Sequence, residues 1–220
     1  MAKTNLRGWL CAVLLLAATC VQASVNIIPK PTLVKEGKGS FLVTDGMNIG
    51  VNDPALADAA DYLKQMIARA TGFQDLAVRR GEGHISLLLQ PAADPEDESY
   101  TLTVSSTRIT IKAGTYRGVV NGISTLRQLL PDEIESREPV KGIRWTVPVV
   151  QVQDKPAYHW RGLMLDPSRH FYSVEETEQF LDHMALYKYN KFHWHLTDGV
   201  AWRLQINRYP LLTQRGAWRE

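Results

Sequence analysis

The sequence predicts a small α+β domain, with helices on one face of a mostly antiparallel sheet, followed by a βαβ unit that opens a second domain. Two observations carry this prediction. A helix with one apolar face and a pair of alternating strands lie in the first half of the chain. After residue 160 a strand, a capped helix and another strand follow closely, which is typical of parallel strands joined by a right-handed crossover.

The composition is that of a folded, nearly neutral chain. Hydrophobic residues make up 45% of the 220 residues and charged residues 22%, which excludes intrinsic disorder. The 25 basic and 23 acidic residues leave a net charge of +2, and two basic residues, Lys3 and Arg7, lie in a segment that we expect to be removed. The charge therefore gives no support to a nucleic-acid or anionic-membrane partner.

Residues 1–23 have the pattern of a secretory signal peptide. A basic start precedes an apolar run from Trp9 to Ala18, and small residues before Ser24 form a cleavage site. The run is too short to span a bilayer comfortably. We therefore expect an exported protein, periplasmic or extracellular, without a membrane span.

Both cysteines, Cys11 and Cys20, lie inside this segment. A cleaved chain would have no thiol, so its fold must be held by its core rather than by disulfides. In an alternative interpretation Cys20 becomes the lipidated first residue of an outer-membrane lipoprotein. Thr19 and Ala17 match the cleavage pattern of lipoproteins poorly, which disfavours that alternative.

The first element of the mature chain is a helix within residues 52–72. Asp53 is expected to cap it, Pro54 to occupy its first helical position and Gly72 to end it. Apolar residues recur at three- and four-residue spacing and predict a buried face, made of Leu56, Ala59, Ala60, Leu63, Met66, Ile67 and Ala70.

Three strands are expected next, over residues 84–89, 100–104 and 108–113. The second and third alternate strictly between apolar and polar residues, which predicts an antiparallel hairpin with one face in water. A second helix should run from Tyr116 to Leu130, where Pro131 halts it. Its two glycines, Gly118 and Gly122, are unfavourable in a free helix and indicate close packing against a sheet.

The domain boundary is expected near residue 150. We interpret residues 132–141 as the start of a linker and residues 147–152 as a strand that leads into the next unit. The chain then divides into a signal peptide (1–23), a small α+β domain (24–150) and an incomplete second domain (151–220).

The second domain opens with a strand at residues 161–166 and a loop at 167–172. A capping box at residues 173–176 begins a helix, and a second strand covers residues 191–196. The apolar face of the helix is expected to contain Val174, Thr177, Phe180, Leu181, Met184 and Tyr187. Because two parallel strands alone leave unpaired edges, we expect this chain to be the N-terminal part of a longer protein.

Candidate chemistry lies just past the carboxyl ends of these two strands. Arg169 follows the first strand and Asp198 follows the second, so both side chains can meet at one edge of the sheet. The planar donor fork of arginine suits two adjacent sugar hydroxyls, and the carboxylate can accept from hydroxyls or orient an imidazole. The alternative is a purely structural ion pair between the two loops, and spacing alone favours it.

His193 and His195 lie two apart on the second strand and point the same way, which makes them a possible metal pair. A tetrahedral site needs at least one more ligand, and we favour histidines that pack or form hydrogen bonds. Five tryptophans of the mature chain are concentrated toward its end. Each is expected in the core, although together they mildly favour a carbohydrate ligand.

Two runs near the end carry a family resemblance. Residues 160–171 read WRGLMLDPSRHF and residues 190–198 read NKFHWHLTD, with Trp202, Arg203 and residues 209–219 continuing the pattern. These runs closely resemble the start of the catalytic domain of family 20 glycoside hydrolases, the β-N-acetylhexosaminidases. Residues 100–130 are similar to the small N-terminal domain of the same family.

The resemblance implies that the second domain is the start of a (β/α)8 barrel. It also implies retaining hydrolysis assisted by the 2-acetamido group of the substrate, which removes terminal N-acetylglucosamine or N-acetylgalactosamine from glycans without cofactor or metal ion. Arg169 matches the family arginine that binds hydroxyls of the terminal sugar, and Asp198 matches an aspartate that supports the active-site network. Gly199 stands where many members have a second acidic residue.

An adjacent Asp-Glu pair performs the catalysis in this family, with the Glu as general acid and base. No such pair follows Trp160 here, so we expect no catalytic residue in this chain and place the pair beyond Glu220. One alternative is a noncatalytic carbohydrate-binding protein with a degenerate barrel. Another is a metal-dependent hydrolase that uses His193 and His195.

Overall fold

The computed structural model describes residues 25–90, 92–199 and 201–218. The signal-peptide and lipoprotein predictions concern residues outside this part of the chain. Within the described ranges no helix is long and apolar enough to cross a membrane.

A seven-stranded sheet dominates the structure, with strand order β1-β7-β5-β6-β4-β2-β3. Its strands are β1 (Leu33–Leu42), β2 (Asn48–Val51), β3 (Ala77–Arg80), β4 (Ile85–Leu89), β5 (Tyr100–Val104), β6 (Ile109–Ala113) and β7 (Thr146–Asp154). The predicted α+β domain is therefore present, and the β5–β6 hairpin pairs Val104 with Ile109 as expected.

The sheet is mixed rather than mostly antiparallel, which corrects the prediction. The pairs β1–β7, β7–β5 and β5–β6 are antiparallel, whereas β6–β4, β4–β2 and β2–β3 are parallel. A helix connects β2 to β3, and a crossover of this kind returns the chain in the same direction, which accounts for the parallel β2–β3 pair. The sequence pattern did not reveal β1, β2 or β3, which are short or rich in glycine and charge.

Two helices pack against the sheet and against each other, namely α1 (Ala57–Thr71) and α2 (Tyr116–Leu129). A 3-10 turn at Pro54–Leu56 precedes α1, the Asp53 carboxylate accepts from the Ala55 amide, and Gly72 ends α1 with a left-handed backbone. All seven residues of the predicted apolar face are buried. A Cβ on Gly118 would lie 2.5 Å from the Ser99 carbonyl oxygen, so the close packing expected of α2 is confirmed.

The segment after α2 differs from the expected linker. Residues Asp132–Glu135 form a 3-10 turn, Ile134 is buried and Glu135 pairs with the buried Arg127. The strand expected to lead into the next unit is β7, which lies between β1 and β5 in the sheet. It continues to Asp154, four residues past the boundary at 150, and that boundary stays a prediction.

The βαβ unit consists of β8 (Gly162–Leu165), α3 (Val174–Leu186) and β9 (Lys191–Trp194), with β8 and β9 parallel. The capping box of Ser173 and Glu176 is present at the start of α3. Of the predicted apolar face of α3, Thr177 and Met184 are buried, and Phe180 is partly buried near Phe192. The other three residues, Val174, Leu181 and Tyr187, are exposed in the described structure. A short hairpin, β10 (Thr197–Asp198) with β11 (Ala201–Trp202), and helix α4 (Leu211–Gln214) complete the described chain.

A buried polar cluster joins the amino-terminal side of this unit to the sheet; we call it the basal cluster, and it contains Glu98, Tyr100, Asp154, Arg161 and Lys188. The Lys188 ammonium donates to the Tyr100 hydroxyl at 2.8 Å and to the Asp154 carboxylate at 3.2 Å. Arg161 pairs with Glu98, which also accepts from the Asn190 amide at 3.0 Å. Two cations and two carboxylates thus neutralise one another in a site withdrawn from water.

Candidate functional site

The loops that follow β8 and β9 meet at their carboxyl ends, as the sequence predicts. Arg169 donates from Nε and Nη2 to Asp198 Oδ2, at 3.2 and 2.8 Å. Both donors converge on one carboxylate oxygen. The arginine side chain is 62% exposed and the aspartate side chain 36%, so a ligand can reach this pair from solvent.

Three groups fix the Asp198 carboxylate. Besides Arg169, the Gly199 amide donates to Oδ1 at 2.6 Å, and Nε2 of His195 lies 3.5 Å from Oδ2. Hydrogen bonds from Arg169 and from the Gly199 amide stabilise the charged form, which lowers the pKa of Asp198 to about 2. The same carboxylate raises the pKa of Arg169. This pair therefore carries both its charges at neutral pH.

Further hydrogen bonds, which do not involve the Arg169 side chain, hold the backbone of the loop that carries it. The Arg169 amide donates to Asp166 Oδ1 at 3.0 Å, and the fully buried Ser168 donates from Oγ to the Ala201 carbonyl at 2.9 Å. Arg203 donates to the Pro167 carbonyl at 3.1 Å. Sequence reasoning gave Ser168 and Arg203 no role, because their partners are backbone carbonyls that no residue pattern indicates.

The two histidines do not form a recognisable metal centre. Their rings lie 5.5 Å apart, His193 is exposed and His195 lies against Asp198. Among the described residues no three His, Cys, Asp or Glu side chains are grouped so as to hold a metal ion. His193 lies on a face of β9 over which no element of the described structure packs, and the expectation that it packs or forms a hydrogen bond in the barrel stays a prediction.

The tryptophans also differ from expectation. Trp145 is buried, but Trp160, Trp194 and Trp218 are exposed. Trp160 and Trp194 line a cavity of about 520 Å³ along β8 and β9, which Met164 and His193 line too. Phe192 lies near Phe180 of α3, so the alternate residues of β9, including His193, face away from that helix. Neither Arg169 nor Asp198 lines this cavity.

Comparison with known protein families shows to which family the chain belongs. Residues 24–155 match the model of glycosyl hydrolase family 20, domain 2, and residues 158–220 match that of glycosyl hydrolase family 20, catalytic domain. The chain belongs to glycosyl hydrolase family 20. Its seven-stranded domain is domain 2 of this family, and its βαβ unit is the start of the catalytic domain.

Individual members of family 20 are similar along most of the chain. A beta-hexosaminidase of Porphyromonas gingivalis is 39% identical over 199 residues, which cover 89% of this chain and 25% of that protein. A beta-hexosaminidase of Vibrio furnissii is 34% identical over 198 residues, which cover 90% of this chain and 30% of that protein. The chain thus spans about a third or less of the length of these two curated relatives.

Solved structures of family 20 enzymes share this architecture. The N-acetyl-beta-hexosaminidase of Streptomyces plicatus, solved in complex with Thio-NAglucal, superposes with a TM-score of 0.77 at 38% identity. The match covers 86% of this chain and 38% of that structure. The βαβ unit is accordingly the beginning of a (β/α)8 barrel.

Proposed function

We propose that this chain is the N-terminal part of a β-N-acetylhexosaminidase that removes terminal N-acetylglucosamine or N-acetylgalactosamine from glycans. The observation that carries the proposal is the Arg169–Asp198 pair, which lies past the carboxyl ends of two parallel strands in a member of family 20. That edge is where barrel enzymes bind their substrates. The names of the relatives support the same activity.

Arg169 has the role of a sugar-binding residue in this proposal. Its fork donates to hydroxyls of the terminal sugar, while Asp198 holds the guanidinium at a fixed position and accepts from a hydroxyl or from His195. Because the pair is charged at neutral pH, these hydrogen bonds are charge-assisted and strongly directional. Arg169 and Asp198 thereby orient the sugar ring.

The chemical step belongs to residues beyond this chain. Substrate-assisted hydrolysis needs a carboxylate that orients the acetamido group and a glutamate that donates and then accepts a proton. Among residues 160–220 no Asp-Glu pair occurs, and we place that pair further along the barrel. The alternative function is a noncatalytic carbohydrate-binding protein, in which the same barrel position would carry neutral residues.

We also propose that the protein is exported. The pattern of residues 1–23 supports cleavage before Ser24 and a periplasmic or extracellular location. Amino-terminal sequencing of the mature protein tests this directly. A chain that begins at Ser24 is the expected result. A chain that begins with a fatty-acylated Cys20 would instead indicate an outer-membrane lipoprotein.

The variant Arg169→Lys in the whole protein tests the site. Lysine keeps the charge but loses the planar fork, so we expect kcat/KM on an aryl N-acetyl-β-glucosaminide to fall by about ten- to 150-fold. The melting temperature should change little, because exposed ion pairs contribute little to stability. Arg208→Lys, at an exposed arginine outside the pair, is the matched control.

If Arg169 and Asp198 form only a structural ion pair, the opposite result is expected. Arg169→Lys would then lower the melting temperature and leave kcat/KM of the folded enzyme near the wild-type value. That outcome would remove Arg169 from the sugar-binding site.

A further inference from the structure

Arg203 contacts three separate segments of the second domain with one side chain and its own amide. Its Nε donates to the Pro167 carbonyl at 3.1 Å, and its Nη1 donates to the Ala217 carbonyl at 2.8 Å. Its backbone amide donates to the Leu196 carbonyl at 2.8 Å. Its guanidinium carbon also lies 5.5 Å from the centre of the Phe171 ring.

Two of these anchor points are close in sequence to the candidate sugar-binding pair. Pro167 precedes Arg169 by two residues, and Phe171 follows it by two, so the side chain of Arg203 holds the Arg169 loop on both sides. Leu196 precedes Asp198 by two residues. Arg203 therefore ties the loop after β8 to the hairpin after β9.

The Ser168 side chain adds a second tie between the same two segments. It is fully buried, donates to the Ala201 carbonyl at 2.9 Å, and its amide donates to the His195 carbonyl at 3.3 Å. With Arg203 it leaves the loop little freedom between Pro167 and Phe171. Arg169 itself is 62% exposed, so its orientation depends on this backbone support and on its ion pair with Asp198 rather than on a packed environment.

We propose that Arg203 is a positioning residue for sugar binding, which acts through the Arg169 loop and touches no substrate. This inference rests on the proposed function of the Arg169–Asp198 pair. Arginine is required because one planar group must reach two carbonyls in different directions while it covers an aromatic ring. A lysine at position 203 can supply only one compact ammonium group and would release either Pro167 or Ala217.

A double-mutant cycle in the whole protein tests the proposal, with Arg203→Lys, Arg169→Lys and the double variant assayed on an aryl N-acetyl-β-glucosaminide. Small displacements of a binding group lower the rate strongly, so we expect Arg203→Lys to reduce kcat/KM by up to about a hundredfold. If Arg203 acts through Arg169, kcat/KM of the double variant should lie within about twofold of kcat/KM of Arg169→Lys alone. Arg208→Lys, at an exposed arginine of the same segment, is the control and should leave kcat/KM unchanged.

Two results would overturn the inference. One is normal kcat/KM in folded Arg203→Lys, with only a lower melting temperature. The other is a double variant whose loss is the product of the two single losses, because independent sites add in free energy. If Arg169→Lys itself has normal kinetics, the proposed sugar-binding role of the pair fails instead, and the two failures are thus distinguishable.

Ser168→Ala keeps the proposal testable if Arg203→Lys does not fold. This variant removes the tie to Ala201 but leaves both side-chain contacts of Arg203 in place. We expect a smaller loss of kcat/KM that is again non-additive with Arg169→Lys. If the losses of kcat/KM in Ser168→Ala and Arg169→Lys were additive in free energy, the proposal that the loop positions Arg169 for sugar binding would be contradicted.

Discussion

At the residue scale, the ionisation of Asp198 is the most sharply defined property of the candidate site. Hydrogen bonds from Arg169 and the Gly199 amide lower its pKa to about 2, below the roughly 3.9 of an unfolded chain. A lowered pKa means that the stabilising ion pair is complete above the unfolded value and is lost only as the pH falls through about 2. The ionisation of this pair should therefore not itself make sugar binding vary with pH in the neutral range.

The variant Arg169→Met should raise the pKa of Asp198 toward the unfolded value, because it removes both hydrogen bonds that the guanidinium donates to the charged carboxylate. Acid titration of the side-chain carboxyl carbon of Asp198, followed by NMR, measures this change. The Gly199 amide still donates, so the recovery should be incomplete. Arg208→Met should leave the titration unchanged, and an Asp198 that titrates near its ordinary pKa in the wild-type protein would contradict the described geometry.

The sequence predicted the pair but not its supports. Arg169 and Asp198 follow strands whose parallel arrangement brings their carboxyl ends together, and this could be inferred from the pattern alone. Arg203 and Ser168 bind backbone carbonyls, whose positions depend on the folded loops. The exposure of Trp160, just before β8, and of Trp194, on β9, was also missed, because a tryptophan has the same local sequence pattern in either environment.

At the scale of elements, the periodicity of apolar residues predicted the helices and strands that bury one regular face. The helices α1 and α2, the β5–β6 hairpin and the β8–α3–β9 unit have regular apolar spacing and were located within a few residues. Strands β1 to β3 were missed because their pairing partners, rather than their own residues, define them. Strand β1 has a register shift between Glu36 and Ser40, which interrupts any alternation.

The basal cluster was missed for a similar reason, since its members come from elements far apart in sequence. Glu98 and Lys188 are only 7% and 4% exposed, and Lys188 has a left-handed backbone with φ of 62°. Burial lowers the pKa of Lys188, against the opposing effect of Asp154. The cluster lies at the amino-terminal ends of β8 and β9, which is the face of a barrel associated with stability rather than catalysis.

Lys188→Met should destabilise the protein by about 3–5 kcal/mol, because it leaves the Asp154 carboxylate buried without its cation. Methionine has the same backbone restrictions as lysine at a positive φ, so strain is unchanged. Urea unfolding of the whole protein, in which the second domain has its remaining strands, measures the effect. Lys155→Met, at an exposed lysine 3.8 Å from Asp97, is the control and should change stability little. Equal stability of Lys188→Met and the wild-type protein would show that the cluster does not join the two domains.

At the scale of the whole molecule, the two parts of the chain differ in how completely they are packed. The continuous hydrophobic core consists of residues between Ile27 and Val152. The βαβ unit contributes few buried residues, and Met164, Phe171, Val174 and Trp194 are exposed. We expect the sheet domain to fold by itself and the second domain to need its remaining strands.

Limited proteolysis of the 220-residue chain tests this difference. Cleavage should begin after residue 160 and leave a stable product close to residues 24–150, since exposed and sparsely packed backbone opens first. The basal cluster should delay cleavage of α3 relative to residues 197–218. A product that retains the last sixty residues while the sheet domain is degraded would contradict the proposed domain boundaries.

Turnover of an aryl N-acetyl-β-glucosaminide by the whole protein and by the purified 220-residue chain tests the central claim most directly. The proposed function predicts retaining hydrolysis by the whole protein and none above background by the 220-residue chain, to which the proposal assigns the sugar-binding pair but not the acid and base. Binding of the sugar by the whole protein without turnover would support the noncatalytic alternative. Turnover by the 220-residue chain itself would contradict the account, because the chemistry would then reside in residues to which it assigns none.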